Sequence, residues 1–124
     1  MRTIKLAIAA TLLLGTAVIG HSPAAYAMTT DGDWRVVIIT EKGKCDSAYS
    51  FNVNVANGHV NYPGGGPVHL SGTVAPGGAV KVNISAGDKG ASGTGHLRGT
   101  EGGGTWRGRG SASECAGRWE AARR

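Results

Sequence analysis

The sequence predicts an all-β fold: a small antiparallel meander of about eight strands, closing into a barrel or barrel-like sandwich and tied by one disulfide. Three observations carry this. Apolar and polar residues alternate with a period of two over most of the chain, the pattern of half-buried strands. The chain has 22 glycines with no Gly-X-Y period, a richness that reads as turns and close packing and excludes collagen. No segment offers an amphipathic helix, because glycine and β-branched residues oppose one throughout.

The first 27 residues read as a secretory signal peptide. Arg2 and Lys5 precede an apolar run from Leu6 to Ile19, and Ala25-Tyr26-Ala27 supplies the small-residue cleavage site. That run is 14 residues long, short of the ~20 a helix needs to cross a bilayer. No cysteine follows the cut, which disfavours a lipid anchor. Residues 28–124 then form one small β-domain, periplasmic or secreted, with no membrane span and expected to be a monomer. A multidomain enzyme, a channel and a helical bundle are excluded.

Residues 28–33 are small and polar and read as a loose lead-in. Trp34, Val36, Ile38 and Thr40 share one face of the first strand, although Val37 and Ile39 make it apolar on both. Lys42-Gly43-Lys44 breaks it. Cys45, Ser47, Tyr49, Phe51, Val53 and Val55 share the inner face of the second. Asn57-Gly58 is a strong hairpin signal, since both central residues of a type I′ turn need positive φ. Val60 and Tyr62 follow, and Pro63-Gly64-Gly65-Gly66-Pro67 forces a loop. Val68, Leu70, Gly72 and Val74 make the fourth strand; Val80, Val82 and Ile84 make the fifth after Pro76-Gly77-Gly78. Ala91, Gly93, Gly95 and Leu97 face inward on the sixth. Gly102-Gly103-Gly104 reads as a turn leading to Trp106 and Gly108. Cys115, Gly117, Trp119 and Ala121 face inward on the last.

Closure is favoured over a solenoid or adhesin fragment because no long repeat is present. Glycines 93, 95, 104, 108 and 117 fall on the inner parity beside tryptophans, and small beside large is what fills a narrow barrel. Cys45 and Cys115 are the only cysteines, and an isolated pair in an exported chain is most simply a disulfide. Metal ligation is the weaker reading, since neither sits in a Cys-x-x-Cys or His-x-x-x-His grouping. Beyond residue 27 there are 14 Val, Ile or Leu and six aromatics, enough for one small core. A filled, dry interior is therefore expected, with binding on the outside or at the loop rim.

Chemical motifs are sparse. There is no nucleophile elbow, phosphate loop or His-Glu-x-x-His. Asp31 and Asp33 sit in the lead-in, and a strand starting at Cys115 sets Glu114 and Glu120 on opposite parities, so paired-carboxylate catalysis is not expected. Charge is the uneven feature: residues 28–96 are neutral and residues 97–124 carry net +3. Lys81, His96, Arg98, Arg107, Arg109 and Arg118 point outward from four successive strands, a stripe able to meet an acidic protein or an anionic envelope glycan or lipid. The bland reading of that stripe is a solubilising face. Nucleic acid is not expected, because outward aromatics that would stack bases are missing.

Gly32-Asp33-Trp34, with Arg123 at the end of the last strand, resembles the Gly-x-Trp and terminal Arg pairing of lipocalin-type calycin barrels. The resemblance implies an arginine packed over the tryptophan at the closed end. Export, length, one disulfide and eight strands are similar in design to small calycin-like bacterial protease inhibitors. Asp31-Gly32-Asp33-Trp34, Glu41-Lys42-Gly43-Lys44-Cys45-Asp46, Asn57-Gly58, Gly104-Thr105-Trp106 and Cys115-Ala116-Gly117-Arg118-Trp119-Glu120-Ala121 resemble small exported proteins of rhizobia-type alphaproteobacteria, to which no activity is assigned. The expected function is a non-enzymatic exported binding module, an inhibitor or anionic-surface binder without cofactor. The alternatives are a carrier of a small ligand or haem, with His59, His69, His96 or Tyr62 as contacts, and a structural or adhesive protein.

Overall fold

Eight antiparallel strands run in chain order around a closed barrel: β1 (Gly32–Lys42), β2 (Ala48–Ala56), β3 (His59–Asn61), β4 (Val68–Val74), β5 (Ala79–Ala86), β6 (Lys89–Arg98), β7 (Glu101–Arg109) and β8 (Glu114–Arg123). This computed structural model describes residues 3, 14–16, 30–110 and 113–124. The export segment and residues 28 and 29 of the lead-in lie almost wholly outside the described residues. No helix among them is long and apolar enough to cross a membrane.

Closure rests on β1, which pairs with β2 from Gly32↔Val55 to Ile39↔Ala48 and with β8 from Trp34↔Arg123 to Lys42↔Ala116. Two-sided pairing leaves neither terminal strand as an open edge. It also explains why β1 is apolar on both faces. Val37 and Ile39 point outward but are only half-exposed, next to Glu120 and Arg118 in the ladder. Elsewhere the outer surface is polar, with Arg35, Asn52, Lys81, Asn83, Thr94 and Arg107 exposed. A membrane-spanning barrel has the reverse arrangement, with its apolar band facing out.

The interior follows the alternation. Trp34, Ile38, Val53, Val55, Val60, Val74, Val80, Leu97, Trp119 and Ala121 form the buried core, with Trp34 only 1% exposed. Glycines make room for the indoles. A Cβ at Gly95 would lie 2.5 Å from Trp119 Cζ2, and one at Gly104 would meet the Thr94 carbonyl oxygen and lie 2.6 Å from Gly95 Cα. Three elements differ from the sequence reading. Gly102–Gly104 are strand residues inside β7, not a turn; the β6–β7 connection is Gly99-Thr100. Cys45 lies in the loop before β2 and does not begin that strand. The lead-in is structured from Thr30, whose carbonyl accepts the Trp34 indole N–H at 2.9 Å.

That segment seals one end. Arg123 lies over the Trp34 ring, 4.8 Å from its centroid, and donates to the Asp31 carbonyl. The Asp31 carboxylate accepts from the amides of Asn57 and Gly58 at 3.0 and 3.4 Å. These two residues have φ of 52° and 75°, the hairpin conformation their sequence predicts. Near the other end, Cys45 and Cys115 are joined with Cα atoms 6.2 Å apart. The bridge ties the β1–β2 loop to the start of β8, and it fits an oxidising compartment.

The two cysteines are 70 positions apart in the chain, so replacing both with alanine should cost about 2–5 kcal/mol. A thermal melt should show the midpoint falling by at least about 10 °C; an unchanged midpoint would mean the bridge is dispensable. Gly104→Ala should destabilise by about 2 kcal/mol or more, since the β6 backbone at Thr94 and Gly95 blocks a methyl group. Gly77→Ala, with no atom within 4 Å of its Cβ, should be neutral or slightly stabilising in the same assay.

Candidate functional site

The two ends of the barrel are built differently. Around Trp34 the inward residues are fully buried; toward the end of the barrel that holds Tyr49 they become half-exposed. The β3–β4 ladder is the cause on one side. β3 is three residues long and pairs with β4 only at His59↔Thr73 and Val60↔Gly72. Beyond it the chain leaves as the Pro63–Pro67 loop, so the wall between β2 and β4 splays. Tyr62 turns back over Gly64, where a Cβ would lie 2.6 Å from its Cε1 atom.

The result is an open hollow of about 410 Å³ at the mouth, within the roughly 300–1,000 Å³ typical of small-molecule sites. Tyr49, Phe51 and Tyr62 line one side, with Phe51 stacked on Tyr49 at 6.1 Å and meeting Tyr62 edge-on at 6.0 Å. Leu70, Ile84, Ala91 and Trp106 also line the hollow, with Lys89 and Arg109 as its charged residues. Beneath it lies a narrow apolar cavity of about 80 Å³ that shares Tyr49, Phe51, Leu70, Ile84, Ala91 and Trp106 with the hollow. The expectation of a filled interior therefore fails: a hollow opens at the mouth, and the small cavity beneath it reaches Trp34. Alternation alone could not show this, because it reports which face a residue takes and not where along the barrel the wall parts.

The interior presents satisfied polar atoms only. The indole N–H groups of Trp34, Trp106 and Trp119 donate to the carbonyls of Thr30, Ile39 and Thr94 at 2.9–3.1 Å. The Ile39 acceptor sits beside the register shift between Thr40 and Lys42, and glycine at 117 leaves that carbonyl uncovered. Among the described residues no buried side-chain nitrogen or oxygen lacks a partner.

Lys81, His96, Arg98, Arg107, Arg109 and Arg118 are all exposed on β5 to β8. They do not form a continuous basic strip. Arg118 contacts Glu41 at 3.2 Å and Glu120 at 3.8 Å, Arg109 contacts Glu114 at 3.4 Å, and Arg98 pairs in the ladder with Glu101. Glu114 and Glu120 share the outer parity, because β8 alternates from Glu114 onward. His59, His69 and His96 are exposed on the outer surface and none lines the cavity, whereas Tyr62 stands at the mouth.

No family model, no curated protein and no solved structure matches this chain. The chemistry of the mouth has to be read from its own residues.

Tyr49 is the titratable group there with a displaced pKa. Burial, and then the nearby Asp46 carboxylate, push its phenol above the usual range. The folded protein thus holds this proton more tightly than the unfolded chain. Its contribution to stability is intact below the ordinary phenol pKa of about 10 and is lost as pH rises through the raised folded value. Tyr49→Phe should remove that component, so melting curves at successive pH values above 9 should fall less steeply for the variant than for the parent. Parallel slopes would show that the tyrosine plays no part.

Proposed function

We propose that the protein is an exported binding module, a binder and not a catalyst, that takes a small apolar guest into the hollow at the open end of its barrel. The observation that carries this reading is the apolar mouth itself: aromatic and aliphatic side chains facing water at one end of a barrel sealed at the other. Tyr49 is 48% exposed there, in a chain whose remaining large apolar residues between Thr30 and Arg124 are half-buried or buried. Apolar surface in a concave site gains free energy when a guest displaces its water, by about 25 cal/mol per Å² buried. Outer-surface recognition has less support, since Glu41, Glu114 and Glu120 interleave with the arginines of β7 and β8. Carriage of haem has less still. The inner cavity is narrow and the histidines face away from it.

Phenylnaphthylamine, a neutral probe that fluoresces in apolar sites, should bind saturably at one site per chain. Ala91→Phe, which fills the hollow from β6, should reduce its affinity about tenfold or more while the thermal midpoint stays close to that of the parent. Failure of the probe to bind the parent would overturn the reading.

A further inference from the structure

The guest's chemical class follows from how the mouth is shaped and where its charges lie, and this inference rests on the reading of the hollow as the binding site. We infer that the guest is a compact aromatic carboxylate, its ring against the Tyr49–Phe51–Tyr62 side and its carboxylate toward Lys89 and Arg109.

Shape argues for a ring over a long chain. The hollow is wide, about 410 Å³, and the cavity under it is only about 80 Å³. An apolar cavity that holds a benzene ring has a volume of about 150 Å³. A ring therefore stays in the mouth, and a long acyl tail finds no depth to enter. The wall chemistry agrees. Tyr49, Phe51 and Tyr62 present three aromatic rings on β2 and just after β3. Aromatic guests gain from offset or edge-on contact with such rings beyond their buried area.

Charge places the head group. Lys89 and Arg109 are the charged residues that line the hollow: Lys89 opens β6 on its inward parity, and Arg109 closes β7 on its outward parity at the rim. β6 stands four strands from β2 in the closed order, so Lys89 at its start lies across the mouth from the aromatic side. Asp46, Asp88 and Glu114 occupy the surrounding rim but do not line the hollow. Glu114 holds Arg109 through one nitrogen at 3.4 Å, with both side chains more than two-thirds exposed. An exposed contact of this kind is weak, and a guanidinium carries five donors, enough to bind a carboxylate as well. Inside, every indole N–H is already engaged by a backbone carbonyl, so a polar group directed inward would lose its water without compensation.

Isothermal titration of the disulfide-bonded protein with naphthoate, naphthylmethanol and dodecanoate separates the possibilities. Naphthoate should bind about tenfold more tightly than naphthylmethanol, and more tightly than dodecanoate. Lys89→Gln with Arg109→Gln should weaken naphthoate about tenfold and bring it level with naphthylmethanol, with an unchanged thermal midpoint as the control for folding. Equal affinity for acid and alcohol, or tighter binding of dodecanoate, would overturn the assignment while leaving the hollow as an apolar binding site. If neither naphthyl compound binds and phenylnaphthylamine also fails, the site reading falls together with it.

Discussion

Three indoles inside a ring of eight strands set the terms for the rest of the molecule. A barrel this small has space for Trp106 and Trp119 only where their neighbours carry no side chain: Gly93 and Gly95 lie against them, and Gly104 and Gly117 are their partners in the ladder. Each buried indole also brings one N–H that must be satisfied. All three reach backbone carbonyls across or along the barrel, at Thr30, Ile39 and Thr94. The side chains that fill the interior thereby also fix strands and the lead-in relative to one another. The glycine content of the C-terminal third is therefore a packing requirement, with turns a secondary use.

The two ends of the barrel diverge from this common core. At one, Thr30 and Asp31 fold beneath Trp34, Arg123 covers the ring, and the Asp31 carboxylate caps the Asn57-Gly58 turn. First strand, last strand and the β2–β3 hairpin are locked at a single point. At the other end, short β3 and the Pro63–Pro67 loop leave the wall apart, and the disulfide holds the β1–β2 loop to β8 near the rim. One end is sealed by a side chain over a ring. The other is kept open by a ladder that stops early.

An open end of this composition has a physical cost in water, because Tyr49, Phe51, Leu70 and Ile84 stand around a concave surface that solvent wets poorly. The polar atoms follow the same division: carbonyl-bound indoles inside, and Lys89 and Arg109 at the edge.

The alternation of residues, the punctuation by glycine and proline, and the count of two cysteines determine about eight antiparallel strands with one disulfide, in a barrel or barrel-like sandwich. These are local or compositional properties: period two assigns each residue a face, Asn57-Gly58 specifies its own turn, and two cysteines have one pairing. Only the pairing of β1 with β8 decides that the sheet closes. The Trp34–Arg123 contact agrees with what the resemblance to Gly-x-Trp barrels implied, and not with anything that alternation or spacing encodes. Other features depend on register and strand length, which no local pattern encodes. Gly102–Gly104 resembles a turn in sequence, and only the pairing of Gly104 with Gly95 and Trp119 makes it strand. The outward arginines were identified correctly as exposed, yet their carboxylate neighbours come from β1 and from adjacent rungs of the ladder. The hollow was the least legible feature. Its residues are the same inward-facing valines, leucines and aromatics that build the core, and only the early end of the β3–β4 ladder decides that those at one end of the barrel meet water.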